Sequence, residues 1–207
     1  MSEATIIYPH QLCKVSPAVK DGRPIYLVEE PLILTHNPIH RQKLIFHKLT
    51  LDAYQHELET AGHTVVRLSI HEHPQTRDIF KRIVNDGIEI IHVVDTTDNY
   101  LERALRDSDL ERVWYDSPLF ILSKAEAVER FLSSKKFMAS FYKKLRQDKN
   151  ILVDSSGEPV GGKWSFDEDN RKKLPRDISL PEDISFFGNE ASKEAEKWAN
   201  AVKAEVY

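Results

Sequence analysis

The chain has 207 residues, 41% of them apolar and 30% charged, a balance that suits one large folded domain or a domain with a tail and excludes wholesale disorder. A net charge of -4 gives no global pull toward nucleic acid or membrane, and the one cysteine, Cys13, excludes an internal disulfide and any cysteine-rich zinc or iron–sulfur site within the chain. No run approaches the roughly 18 apolar residues of a membrane span, and MSEATIIYPH lacks a signal-peptide core. The expectation is a soluble cytoplasmic protein.

Short β-branched runs at 4–8, 24–28, 64–70, 88–94 and 112–115 read as five strands, and the near-continuous apolarity of IEIIHVV suits a strand covered on both faces. Between them the period changes to that of helices. The longest, from about 38 to 61, carries Leu44, Leu51 and Leu58 at seven-residue steps, with Pro38 near its start and Gly62 past its end. Helices at about 74–86 and 97–108 follow the third and fourth strands. Such alternation predicts an α/β fold with a five-stranded doubly wound parallel sheet, order 3-2-1-4-5 and flavodoxin/Rossmann-like, flanked by helices. Ligands of these sheets bind beyond the carboxyl ends of the strands, where the winding reverses. That crevice would be framed by His10-Gln11-Leu12, Glu29-Glu30 and Asp95-Thr96-Thr97.

From Ser123 the pattern shifts. Ser123 and Glu126 form a capping box that opens a helix through Leu132, and Phe137 to Gln147 forms another. Residues 154–177 are turn-rich, and a last helical segment spans 189–204. Charge shifts too: residues 1–123 carry a net of -5, 124–176 a net of +5 and 177–207 a net of -4. The basic middle block is a candidate anionic contact surface, and equally a solvated face.

No GxGxxG, GxxxxGK[ST] or GxSxG is present, which disfavours a dinucleotide, P-loop or hydrolase site. His36, His40 and His47 lie near one helix face and His71-Glu72-His73 offers a close pair, but there is no HExxH, and packing or capping accounts for these residues without a metal. The stretch Pro159-Val160-Gly161-Gly162-Lys163-Trp164-Ser165-Phe166-Asp167 is the most distinctive. Its glycines permit positive φ, its aromatics anchor a loop, and Asp167, Asn170 and Arg171 can lock it.

That stretch, GEPVGGKWSFDEDNRKKLP, resembles the signature PVGG[KR]WNFD-ENR of the bacterial deoxyribodipyrimidine photolyase-related family, the iron–sulfur cryptochromes and (6-4) photolyases. FMASFYKKLRQDKNILVD is similar to the family's FYR-x-MR segment, EEPLILTHNPIHRQKLIFHKLTLDAYQHELETAGHTV to its long helix, and Gln11-Leu12 to the end of its GDQL turn. The likeness runs from about residue 4 to 176. It departs at Pro9-His10, where the family has Gly-Asp, and at Asp95-Thr96-Thr97-Asp98-Asn99, where it has Trp-Arg; Trp-Ser also replaces Trp-Asn in the signature.

The resemblance implies an N-terminal antenna domain over residues 1–176 (the sheet within 1–122, a helical and clasp extension over 123–176), with 177–207 as interdomain linker and the start of a helix. It implies a lumazine-type chromophore in the crevice, contacted by Gln11, Leu12, Glu29, Glu30, His40 and Lys43. FAD, a four-iron cluster and the carbon–carbon lyase activity on damaged DNA belong to a helical C-terminal domain, so this chain alone is expected to be inactive and to be the first domain of a longer protein. Lys172, Lys173 and Arg176 are the expected DNA-phosphate contacts. The competing expectation is a structural or interaction domain that has lost its antenna and supports a C-terminal domain or another partner. A third, a stand-alone small-molecule enzyme, lacks any catalytic constellation.

Overall fold

A computed structural model describes residues 2–133, 137–167, 170, 172–173, 175, 177–179 and 190–206, with 204–206 described by backbone alone. Five parallel strands, β1 (Glu3–Ile7), β2 (Ile25–Val28), β3 (Val65–Leu68), β4 (Ile90–Val94) and β5 (Glu111–Tyr115), form one sheet in the order β3-β2-β1-β4-β5. This is the doubly wound order expected from the sequence. The winding reverses at β1, between β2 and β4.

Strand alternation sorts the side chains into two layers. Ala4, Ile6 and Tyr8 join Tyr26, Val28, Ile91 and Val93 against helices α3 (Thr76–Asn85) and α4 (Asn99–Arg106), whose Ile79, Ile83, Leu101 and Leu105 are fully buried. Ile7, Ile25 and Leu27 turn the other way, onto Leu51, Tyr54 and Leu58 of α2 (Arg41–Thr60). This helix closes on a Schellman turn: Gly62 takes φ +89°, its N–H bonds the Glu59 carbonyl at 3.0 Å, and the His63 N–H reaches Leu58 O at 3.0 Å.

Two boundaries differ from the sequence reading. A short helix, α1 (Pro31–Leu34), precedes α2; Pro31 sits at its start and the Glu30 side chain caps it. The long helix then begins at Arg41, capped by His40 Nδ1, so Pro38 lies in the intervening loop rather than in the first turn. The order is completed by α5 (Lys124–Ser133), α6 (Met138–Asp148) and α7 (Glu190–Val206).

The chain divides into two compact units, residues 1–121 with 185–207, and residues 122–184. Within the first, α7 packs on α2: Ala195, Ala199 and Val202 meet Leu34, Leu44 and Ile45, while Arg41 pairs with Glu196 at 3.1 Å. Within the second, the capping box forms in both directions, Ser123 N–H to Glu126 Oε2 at 3.0 Å and Glu126 N–H to Ser123 Oγ at 3.1 Å. The PVGG-Trp loop is held by Arg146, which donates to the carbonyls of Ile151 (3.2 Å), Leu152 (2.6 Å) and Trp164 (3.2 Å). The Arg146 guanidinium lies 5.1 Å from the Trp164 ring centroid and the Lys143 ammonium 4.8 Å. At Gly161, with φ +88°, an added Cβ would come within 3.2 Å of the Phe166 ring. Arg171 lies outside the described residues.

The α2 layer depends on one fully buried leucine at its centre. Leu51→Ala is expected to destabilise the protein by about 2–5 kcal/mol, read from denaturant midpoints at constant m-value.

Candidate functional site

At the reversal point the chain leaves β1 and β4 in different directions, and one side chain ties them. Gln11 is buried, and its amide donates to the carbonyls of Val94 (2.9 Å) and Asp95 (3.3 Å) just past β4. Its Oε1 accepts the Tyr8 N–H at 3.4 Å. This bond set fixes the turn Tyr8-Pro9-His10-Gln11 against the end of β4. The His10 ring then lies nearly parallel to Tyr8, 18° between planes and 6.3 Å between centroids, with Nε2 2.8 Å from the Thr96 carbonyl. A carbonyl only accepts, so Nε2 carries the proton and the neutral ring keeps an acceptor lone pair at Nδ1. The Thr96 carbonyl is presented by a turn in which Thr97 adopts φ 52° and donates its N–H to Asp95 Oδ1 at 3.1 Å. A β-branched residue in the left-handed region costs on the order of 1–3 kcal/mol.

The adjacent carboxylates Glu29 and Glu30 part company because successive residues at a strand end face opposite layers. Glu29 turns to the α2 side. Arg67 donates to its Oε1 through Nε (3.1 Å) and a terminal nitrogen (2.8 Å), and the Ile70 N–H donates to Oε2 at 3.1 Å. It is a buried tie between β2 and β3. Glu30 turns to the α3/α4 side and meets no cation there. Its Oε1 accepts from the Leu32 N–H (3.1 Å) and the Thr76 hydroxyl, while Oε2 is buried without a partner. Burial, together with the charge of Asp98, pushes its carboxyl up to about 7 despite those two bonds. Tyr8 faces it, and its fully buried hydroxyl has no partner either; burial and the Glu30 charge push that phenol well above its usual value.

Further buried polar atoms without hydrogen-bond partners are His10 Nδ1, Arg67 Nη1 and both ring nitrogens of His47, whose residue is 8% exposed on α2. Burial, then the nearby charges of Lys43 and of His10, holds His47 below its usual value; burial does the same to His10, against the Thr96 bond and Asp98. Native proteins pair the large majority of buried polar atoms, so Tyr8 Oη and Glu30 Oε2 on the α3/α4 side, His10 Nδ1 on the β1 turn and the His47 nitrogens on α2 are left open to a partner from outside the described side chains.

Of the residues expected to contact a ligand, Glu30 keeps an open oxygen. Gln11 and Glu29 spend their polar atoms on the frame. Leu12 packs into the apolar layer of Ile7, Ile25 and Leu27, and His40 caps α2 while exposed to solvent. Lys43 stands exposed in the first turn of α2. Lys172 and Lys173 are exposed; Arg176 lies outside the described residues. Tyr8, His10 and His47 are not among the expected ligand contacts, although Tyr8 and Glu30 share the even-numbered phase of their strands' core faces. The candidate metal histidines disperse: His36 lies against Tyr100 at 5.3 Å, His40 caps a helix, and His47 is buried. Among the described residues no group of three or more metal-capable side chains gathers, and no helix is long and apolar enough to cross a membrane.

The profile of the deoxyribodipyrimidine photo-lyase-related protein family matches residues 5–207. The chain belongs to that family. It is also similar to an uncharacterized protein of Acanthamoeba polyphaga mimivirus, 29% identical over 198 residues that cover 87% of this chain and 99% of the viral protein. In this photolyase-related chain, His10 of the turn Pro9-His10-Gln11-Leu12 is the residue that stacks on Tyr8.

A group whose folded value is raised above its unfolded one contributes stability that is complete below about pH 4.5 and is lost as pH rises through about 7. The stability of wild type relative to Glu30→Gln is therefore expected to fall by about 2–3 kcal/mol between pH 4.5 and 8, measured by urea unfolding at each pH. A flat difference across that range would show that Glu30 is not held as a buried neutral acid.

Proposed function

We propose that the switch-point crevice seats a lumazine- or flavin-type heterocycle and that the chain serves as the N-terminal antenna domain of a photolyase- or cryptochrome-related flavoprotein. The reading extends the family membership to its iron–sulfur (6-4) branch, with light-dependent DNA repair or blue-light sensing as the parent activity. One observation carries it: Tyr8 Oη, Glu30 Oε2 and His10 Nδ1 are three buried polar atoms without partners at one strand edge. A heterocycle of this class presents ring N–H donors and carbonyl acceptors along one edge. Glu30 Oε2 would accept from an N–H, His10 Nδ1 would accept a second donor, and the Tyr8 hydroxyl would donate to a ring carbonyl. The bound chromophore supplies light absorption; the chain's own residues orient it and exclude water from its edge.

The other parts of the reading lie outside this crevice. FAD and a four-iron cluster are assigned to a helical domain carried elsewhere, since one cysteine, Cys13, cannot ligate such a cluster. Damaged DNA is assigned to the full assembly, with Lys172 and Lys173, and by sequence position Arg176, supplying sequence-independent phosphate contacts. A second reading, an interaction module without chromophore, is favoured by the 122–184 unit. There Val128, Phe131, Leu132, Phe137 and Met138 line an apolar groove of about 360 Å³ and are exposed. Its occupant would be the helical domain.

Reconstitution separates the two readings. The purified chain is expected to bind a lumazine or riboflavin, with a shifted visible absorbance band, and to hold no stoichiometric FAD and perform no photorepair. Tyr8→Phe should weaken binding by about fivefold to tenfold and Glu30→Ala by more than tenfold. No binding of either chromophore at millimolar concentration, or unchanged affinity in Glu30→Ala, would decide for the interaction module.

A further inference from the structure

We infer that the crevice has a second, anion-seeking pole, formed by Lys43 and His47 beside His10, and that it selects ligands bearing a phosphate: the mononucleotide form of the heterocycle over the free ribityl form. The inference rests on the reading of the crevice as a ligand seat given above.

Electrostatics at the start of α2 carry the argument. The amino end of a 20-residue helix bears partial positive charge and is best matched by acidic side chains in its first turn. Here the first turn holds no acidic residue; it holds Arg41 and Lys43 instead. Arg41 is answered by α7, through Glu196 at 3.1 Å and Asn200 at 2.9 Å. No described side chain answers Lys43. One turn further on, His47 is buried with neither ring nitrogen bonded, an arrangement that costs free energy until a partner is supplied. His47 faces Lys43 along its own helix and His10 from the β1 turn, and both depress its proton affinity. Asp98 acts on His10 and Glu30 from α4, not on His47. A helix amino end, the Lys43 ammonium and a buried imidazole thus lie along one helix, and no described side chain supplies them an anion.

His10 links the two sides: its ring stacks on Tyr8, and its charge acts on His47. Tyr8 and Glu30 offer an acidic, heterocycle-reading side; Lys43 and His47 offer donors and positive potential on the α2 side. A planar ring with a phosphorylated side chain satisfies both at once. An uncharged ribityl chain would satisfy only the first.

Flavin mononucleotide and riboflavin share ring and ribityl chain and differ only in the phosphate, so fluorescence titration of the two reads this pole alone. Flavin mononucleotide is expected to bind at least tenfold tighter, and inorganic phosphate at millimolar concentration should compete with it and not with riboflavin. Lys43→Gln should remove most of the preference, read as the ratio of the two affinities. His47→Leu should also remove it while raising Tm by a few degrees, because an unpaired buried polar group is replaced by an apolar one; the rise shows that the variant is folded. Equal affinity for the two flavins, or a preference that survives both variants, overturns the phosphate pole and leaves the chromophore reading intact. Binding of neither flavin overturns both.

Discussion

The amide of Gln11 is the constraint on which the crevice depends. At the reversal point of a doubly wound sheet the chain leaves two neighbouring strands in opposite directions, and the β1–β4 ladder ends at Ile6 and Val93, leaving the turns beyond it to be tied by side chains. Gln11 supplies that link by donating to two carbonyls at the end of β4, 83 and 84 residues away, and by accepting the Tyr8 N–H. With that turn fixed, Tyr8 points into the α3/α4 layer, His10 reaches the Thr96 carbonyl, and the strained Thr97 turn gains a partner on its other side. The site is a by-product of how the two strand ends are tied.

Strand alternation then does the sorting. Glu29 and Glu30 are chemically identical neighbours, yet one meets Arg67 and the other bonds no cation among the described residues. The first becomes a buried ion pair that holds β2 to β3. The second becomes a carboxyl that two hydrogen bonds reach but no described cation pairs, and whose free oxygen faces an equally unpaired phenol. Burying such groups without partners is destabilising, so their clustering at the strand edge of a photolyase-related domain argues for a role outside the fold.

Much of this is legible in the sequence. The periods of the apolar residues specify five strands and the helices between them, and alternation of the two gives the sheet order, because parallel neighbours need crossover connections. The strand-end residues that frame the crevice are likewise readable from the strand ends alone. What the sequence does not show is which way each polar side chain faces. Gln11 and Glu29 read as ligand contacts because they project from strand ends; the structure turns both onto the protein. His47 reads as helix packing, and its burial agrees with that, but the absence of a hydrogen-bond partner for its ring nitrogens emerges only when the β1 turn and α2 are set side by side. Boundaries move where local chemistry overrides composition: Pro31 behind the Glu30 cap nucleates a short helix that Pro38 and its neighbours then interrupt. The PVGG-Trp motif has a simple physical counterpart in the Arg146 bonds that hold its loop.

Glu30 is, at the centre of this picture, a buried acid waiting for a donor. Carboxyl-carbon NMR of Glu30, followed through a pH titration with and without saturating riboflavin, tests that claim most directly. The expected result is a titration near 7 in the free protein that moves toward the ordinary acidic range when a ring N–H occupies Oε2. A free-protein titration near 4.5, or one that riboflavin saturation leaves unmoved, would contradict it.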